Sequence, residues 1–277
     1  MANGIILRPS VERSNVTALR DAYGKMQTLS ATDNRSWIYW ADLHGFPSFD
    51  CWHHFREGPA NRRFPYNLFL PWHRAYLLSW EHATRDQNAD AIPPWWDWSS
   101  EQSHQVGIPE AYAQEEVDNQ PNPLFSGPAP DMPGLPAHRT RRFPGDPTEL
   151  PDAQAVEDVL NLTTFADFSQ QLEDLHDQIH GWVGGIDPSN PSRGGDMGLI
   201  ATSAFDPIFW AHHCMIDRLW YLWQLRHGVT NIPPSYRGLP LGPFSLTVDD
   251  VLDIHNLGYE YATSSVSAAG PSQGNGA

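Results

Sequence analysis

The sequence predicts a mainly α protein: a central four-helix bundle wrapped by long Pro/Gly-rich loops, with few and short strands. Three observations carry that expectation. Four separate segments read as helices, two of them with apolar residues recurring at spacings of three and four. The 25 prolines and 21 glycines concentrate between those segments. One of the four segments is apolar on nearly every side, which places it at the centre of a domain.

The elements follow in chain order. Residues 15–29 form an amphipathic helix, with Val16, Leu19, Ala22, Tyr23 and Met26 on one face. Pro71 suits a first helical turn, and the helix continues from Trp72 to Asp86. Residues 165–183 carry Phe168, Leu172, Leu175, Ile179 and Val183 on one stripe, and Gly184-Gly185 supplies a stop. Asp206-Pro207 reads as an N-cap followed by proline at the first helical position, opening the apolar helix that runs to about His227. Residues 109–151, 184–198 and 233–243 are irregular excursions rich in Pro and Gly.

A chain of 277 residues is near the upper limit of a single hydrophobic core, so residues 1–264 are expected as one domain. Residues 265–277 are small and polar, which fits a frayed tail. The net charge of −16 argues against nucleic acid or an anionic membrane as partner. With 40% hydrophobic, 12% aromatic and only 18% charged residues, the chain is too apolar to be disordered. No signal peptide or membrane span is visible, so the expectation is a cytoplasmic protein or one exported with a partner. Two cysteines are too few for a disulfide framework or a thiolate zinc site.

The 13 histidines are the distinctive feature. His176 and His180 stand one turn apart on a helix, about 40° around its axis, so both imidazoles can grip one metal. Glu173 shares their face. His212-His213 sits in the apolar helix, and buried imidazole nitrogens need partners, which a metal ion supplies. Helical geometry leaves the choice between these two open. The amino-terminal half repeats the pattern with His44, His53-His54 and His73. His82 lies about 180° from His73 on the same helix and reads as a solvated residue. His104, His138, His227 and His255 fall in loops or at helix ends and read as structural. Two sets of neutral histidines point to a redox metal pair able to hold dioxygen; the spacing does not select the metal.

Several motifs resemble the type 3 dicopper proteins, which include tyrosinases, catechol oxidases and haemocyanins. Phe69-Leu70-Pro71-Trp72-His73-Arg74 is similar to the segment bearing the third ligand of the first copper. The run from Leu172 to His180 resembles the segment bearing two ligands of the second copper, and Ala204 to His213 with Ile216-Asp217-Arg218-Leu219-Trp220 resembles the helix bearing its third. Pro94-Trp95-Trp96-Asp97-Trp98 and Tyr259-Glu260-Tyr261 are further marks, the latter implying closure of the domain against Arg8.

The resemblance implies two copper ions held by His44, His53 and His73 and by His176, His180 and His213. It selects the second histidine of the 212–213 pair. The second ligand departs from the pattern, because relatives carry it where this chain has Phe64. His53 is chosen over His54, implying an insertion that contains residues 56–63, and Cys51 is a candidate for a thioether to His53.

With dioxygen as co-substrate, the implied activity is oxidation of o-diphenols to o-quinones, with hydroxylation of monophenols beside it. The alternatives are a reversible dioxygen carrier and a degenerate relative with one impaired copper site. Glu173 matches a glutamate that holds a water near the site, and Asp177 is placed to act as a base or to orient His176. Gly181, Met197, Leu199 and Ile200 are the expected contacts for small phenolic substrates, with Met197 as the gate. The short stretch after His213 implies an open site, or one covered by a separate copper-loading or shielding protein.

Overall fold

Three of the four helices expected from the sequence begin at a side chain that caps them. Asn15 accepts from the Ala18 N–H and opens α1 (Val16–Thr28). Thr164 accepts from the Asp167 N–H and opens α7 (Phe165–Gly184). Asp206 accepts from the Ile208 N–H, with Pro207 in the first turn, and opens α9 (Pro207–His227). The computed structural model describes residues 4–45 and 67–262, so Cys51, His53, His54 and the tail at 265–277 lie outside the described residues.

Between α1 and α7 run α2 (Trp37–Gly45), α3 (Phe69–Gln87), α4 (Glu101–Val106), α5 (Glu110–Ala113) and α6 (Ala153–Leu160). The short α8 (Ile200–Ser203) precedes α9. About half of the described residues are helical. The strands are brief: β1 (Ile6–Arg8), β2 (Glu116–Val117), β3 (Gln120–Pro121), β4 (Pro128–Ala129), β5 (His138–Arg139) and β6 (Tyr259–Tyr261). They form two-stranded pairs, with β1 parallel to β6 in the register Ile6 with Tyr259 and Arg8 with Tyr261, while β2–β3 and β4–β5 are antiparallel. No described helix is long and apolar enough to cross a membrane.

The histidine-bearing bundle is α2, α3, α7 and α9, so α1 is not one of its four members. The periodicity omitted α2, whose sequence WIYWADLHG is short and apolar on most sides, leaving no amphipathic stripe to recognise. α1 packs outside α2 and α3, and the seam between them is aromatic. Tyr23 meets Trp37 at 5.2 Å and Trp80 at 5.6 Å between ring centroids, both edge-on. Trp80 stacks face to face on Trp210 of α9 at 3.5 Å.

Glycines allow the loop after α7 to lie directly against the helix. A Cβ on Gly184 would come within 2.5 Å of the Gly198 nitrogen, and one on Gly195 within 2.6 Å of the Arg141 and Gly184 carbonyl oxygens. Gly184-Gly185 is therefore a close-packing point as well as a helix stop, with Gly185 at φ 55° just beyond the last turn.

The β1–β6 pair is fastened by buried charge. Arg8 donates to Glu81 at 2.8 Å, to Asp217 at 3.2 Å and to the Tyr261 hydroxyl at 2.7 Å, with its guanidinium 3.6 Å from the Tyr259 ring centroid. Arg74 donates to the other Asp217 oxygen at 2.5 Å and lies 3.6 Å over the Trp220 ring. The Tyr259 and Tyr261 hydroxyls donate to Asp217 at 2.7 and 2.8 Å. Burial raises the Asp217 carboxyl, but Arg74, Arg8 and these hydrogen bonds outweigh it and hold the group below the ordinary carboxylate range. The expected closure of Arg8 against Tyr259-Glu260-Tyr261 is thus seen in the structure.

Candidate metal centre

Helical spacing sets the first cluster. His176 and His180 project from one face of α7, and their rings meet at 4.3 Å between centroids. From α9, His213 brings its Nε2 to 3.2 Å from His176 Nε2 and 3.4 Å from His180 Nε2. The other ring nitrogens explain the meaning of this convergence. His180 Nδ1 lies 2.7 Å from the Met197 carbonyl oxygen, and His176 Nδ1 lies 3.0 Å from Asp177 Oδ1. With Nδ1–H donated to those acceptors, each Nε2 presents a lone pair toward the other imidazoles. Facing lone pairs repel unless a cation lies among them. A metal about 2.0 Å from imidazole nitrogens in a tetrahedral arrangement separates those nitrogens by about 3.3 Å, which matches the observed spacing.

His44 at the end of α2 and His73 in the first turns of α3 form the second cluster. Together with His213, their nearest ring nitrogens all lie within 4.8 Å of one another, as do those of His176, His180, His212 and His213. His44 Nδ1 lies 3.2 Å from the Ile200 carbonyl oxygen and 3.3 Å from Ser203 Oγ, and His73 Nδ1 lies 2.9 Å from the Phe69 carbonyl oxygen. Both therefore leave Nε2 for a metal. His53 and the Cys51 cross-link fall outside the described residues. Aromatic rings pack around the clusters: Phe69 lies 5.0 Å from His73 and 4.8 Å from His176, and Phe209 lies 4.8 Å from His44 and 4.1 Å from His213.

The structure brings His212 into the same four-histidine group, stacked on His176 at 5.1 Å. The close Nε2 contacts nevertheless belong to His213. His82 is exposed, while His104 and His227 meet backbone carbonyl oxygens of Pro151 and Leu160, in keeping with their structural reading.

Around the imidazoles, Glu173 is 8% exposed and accepts from the Asn67 side-chain amide. Asn67 also accepts from the Phe69 N–H at 2.8 Å, clipping the start of α3 to α7. Asp177 contacts His176 while its side chain is 73% exposed. A Cβ added at Gly181 would meet nothing within 4 Å. Leu199 and Ile200 are 52% and 48% exposed. Met197, expected as the gate, is only 1% exposed. Its side chain packs into the core, and its carbonyl oxygen accepts from His180 Nδ1. Sequence reasoning missed Asn67, Ser203 and the Ile200 carbonyl, since a backbone acceptor has no residue type to signal it. It also placed His138 among plain loop residues, whereas His138 Nε2 lies 2.7 Å from the buried Asp196.

Among the described residues the donor set is imidazole only, buried apart from the half-buried His180, and its members His180 and His213 are held neutral. Burial pushes His180 down to about 4 although the Met197 carbonyl opposes it. Burial, with the neighbouring histidines adding to it, also holds His213 well below its ordinary range. Such a set suits a first-row transition metal.

The tyrosinase family profile, described as the common central domain of tyrosinase, matches residues 34–133 and 133–226. The chain belongs to the type 3 dicopper family of tyrosinases and hemocyanins. It is 31% identical to a tyrosinase of Streptomyces antibioticus over 208 residues, covering 65% of this chain and 69% of that protein. It is 30% identical over 251 residues to the G-type hemocyanin, units Oda to Odg, of Enteroctopus dofleini, covering 84% of this chain but 8% of that protein. A functional unit from octopus hemocyanin superposes with a TM-score of 0.69 at 27% identity, over 92% of this chain and 68% of that one. The family binds two copper ions with dioxygen, and the convergent, neutral imidazoles described above fit that cofactor.

Neutral buried imidazoles carry a consequence for the metal-free protein. An unfolded chain protonates its histidines near pH 6.5, whereas folded His180 stays neutral down to about pH 4. The unfolded state therefore binds more protons in that window, and stability must fall as pH drops. The slope is up to about 1.4 kcal/mol per group per pH unit. Urea midpoints of the metal-free protein should decline between about pH 7 and pH 5; a flat or rising midpoint would contradict neutral buried ligands.

Proposed function

We propose that this dicopper protein is a phenol oxidase that uses dioxygen to oxidise o-diphenols to o-quinones and to hydroxylate monophenols. His44, His53 and His73 would hold one copper, and His176, His180 and His213 the other. The bound copper pair supplies the redox chemistry.

The observation that carries the reading is the apolar rim. Leu199 and Ile200 are about half exposed, and the loop that bears them meets His44 and His180 through the Ile200 and Met197 carbonyl oxygens. Gly181, next to His180, leaves open space where a side chain would crowd an aromatic ring. A phenol can lie across this rim with its hydroxyl toward the imidazoles, while Phe69 and Phe209 exclude water beneath it. Asp177 is exposed and adjacent to His176, so its carboxylate can take the phenolic proton. Glu173, held by Asn67, can fix a water molecule at its carboxylate.

Oxygen uptake by the copper-loaded protein, measured with a monophenol and its matched o-diphenol, tests the assignment. Uptake with both supports the full activity, and uptake with the o-diphenol alone limits it to catechol oxidation. Failure on every catechol, with reversible dioxygen binding, would replace it with the carrier function of the hemocyanin relatives.

A further inference from the structure

We propose that the pair of buried Asp196 and half-buried His138 is a positioning device for both metals at once, acting through the single loop that orients one histidine of each cluster. The inference rests on the dicopper assignment and extends it to residues that touch no metal.

The geometry begins with two carbonyl oxygens. Met197 O accepts from His180 Nδ1 at 2.7 Å, and Ile200 O accepts from His44 Nδ1 at 3.2 Å. These acceptors lie three residues apart in one compact turn, yet they serve imidazoles assigned to different metals. The turn is internally braced: Leu199 N and Thr202 Oγ1 both donate to the Asp196 carbonyl oxygen, at 3.1 and 2.9 Å, and Ser203 N donates to Leu199 O at 2.9 Å. It is also clamped from both sides without side chains. A Cβ on Gly45, next to His44, would approach Ile200 Cγ2 at 2.8 Å, and Gly184 lies against Gly198. A shift of the turn therefore has to move both acceptors together.

Asp196 holds that turn in place. Its Oδ2 accepts from the Arg141 N–H at 2.8 Å, its own N–H donates to Arg141 O at 2.9 Å, and its Oδ1 meets His138 Nε2 at 2.7 Å. His138 is anchored in turn, with Nδ1 2.9 Å from the Pro136 carbonyl oxygen. The Asp196 side chain is 7% exposed and that of His138 17%, so water competes little for this contact. Without the imidazole, one oxygen of a nearly buried carboxylate loses its partner, and the turn relaxes toward solvent to satisfy it. An imidazole whose Nδ1–H acceptor has moved presents Nε2 at the wrong angle. Groups that orient metal ligands from outside the coordination shell change metal affinity by about 10- to 100-fold when removed.

The test compares wild type, His138→Ala, His138→Gln and Asp196→Asn in a chelator titration of the copper-loaded proteins, with copper counted per folded chain. Thermal melts of the metal-free forms identify any variant that fails to fold. His138→Ala is expected to release both coppers in parallel at about tenfold lower chelator than wild type, with little change in the metal-free melt. His138→Gln, which keeps an N–H donor, should restore retention, and Asp196→Asn should fall between. Release of only one copper, or unchanged retention per folded chain, would overturn the proposal, as would failure of glutamine to rescue. Copper retention is read without any phenol, so the proposed activity can fail while this inference stands. A wild type that does not hold two coppers would instead remove the assignment on which it rests.

Discussion

Replacing His213 by alanine should strip copper from the metal centre, wholly or by half, while leaving the fold in place. His213 is fully buried, and its Nε2 is the atom on which the His176 and His180 nitrogens converge, at 3.2 and 3.4 Å. The same residue groups with His44 and His73, so it stands between the two clusters. Losing it should lower copper from two per chain to one or none, with metal affinity falling beyond the roughly 100-fold limit associated with orienting groups. Oxygen uptake with catechols should disappear with it. The metal-free protein is affected differently. Truncating a large buried side chain costs about 2–5 kcal/mol through lost contacts and a cavity. Here the substitution also removes a buried Nδ1 that has no hydrogen-bond partner among the described residues, an arrangement worth about 1–3 kcal/mol in the opposite direction. The melting temperature of the metal-free form should therefore move by only a few degrees. His212→Ala is the control, since its ring stacks on His176 without the short Nε2 contacts. If His212→Ala lost copper and His213→Ala kept it, the assignment of this ligand would be wrong.

The contrast between those two histidines shows what the sequence made legible. Adjacent residues on a helix differ by about 100° around its axis, and both faces of α9 are apolar, so periodicity had no basis for choosing between them. Resemblance selected His213, and it is the Nε2 of this residue that lies 3.2 and 3.4 Å from those of His176 and His180. The helices α1, α3, α7 and α9 were readable because caps and apolar stripes are local signals. α2 was not, because a short helix without a polar face resembles any apolar run. His44 was chosen as a candidate ligand even though its helix was missed, and the structure places it in a histidine group with His73 and His213. The partners that orient the imidazoles were largely invisible: the Met197 and Ile200 carbonyl oxygens are set by loop conformation, and Asp196 meets His138 across 58 positions of chain. Met197 illustrates the same limit from the other side, since its side chain drew the reading while the contact seen at His180 is made by its carbonyl oxygen.

Asp217→Ala should be strongly destabilising, and it acts on the metal centre through the fold. Asp217 lies one helical turn beyond His213 on α9, and Arg74 directly follows His73 on α3. Their contact at 2.5 Å therefore ties together the backbones that carry one ligand from each cluster. The carboxylate also serves Arg8 and both tyrosine hydroxyls, and the Arg8, Arg74 and Asp217 side chains are no more than 2% exposed. Removing it leaves two guanidinium groups buried beside one remaining carboxylate, Glu81, which contacts only Arg8 among the two. Breaking a buried pair from one side costs about 3–5 kcal/mol, a large share of the 5–15 kcal/mol that typically separates folded from unfolded protein. The expected result is a fall in melting temperature of roughly 10 °C or more, with β1 and β6 released first because Arg8 and Tyr261 lose their shared acceptor. Asp217→Asn separates charge from shape: it keeps an acceptor for the tyrosine hydroxyls but not the negative charge facing Arg74, and should recover only part of the loss. Melts and urea midpoints of the two variants, with and without copper, measure this directly. Equal stability of Asp217→Ala and wild type would mean that water reaches the two arginines and that the network is not what fastens α3 to α9.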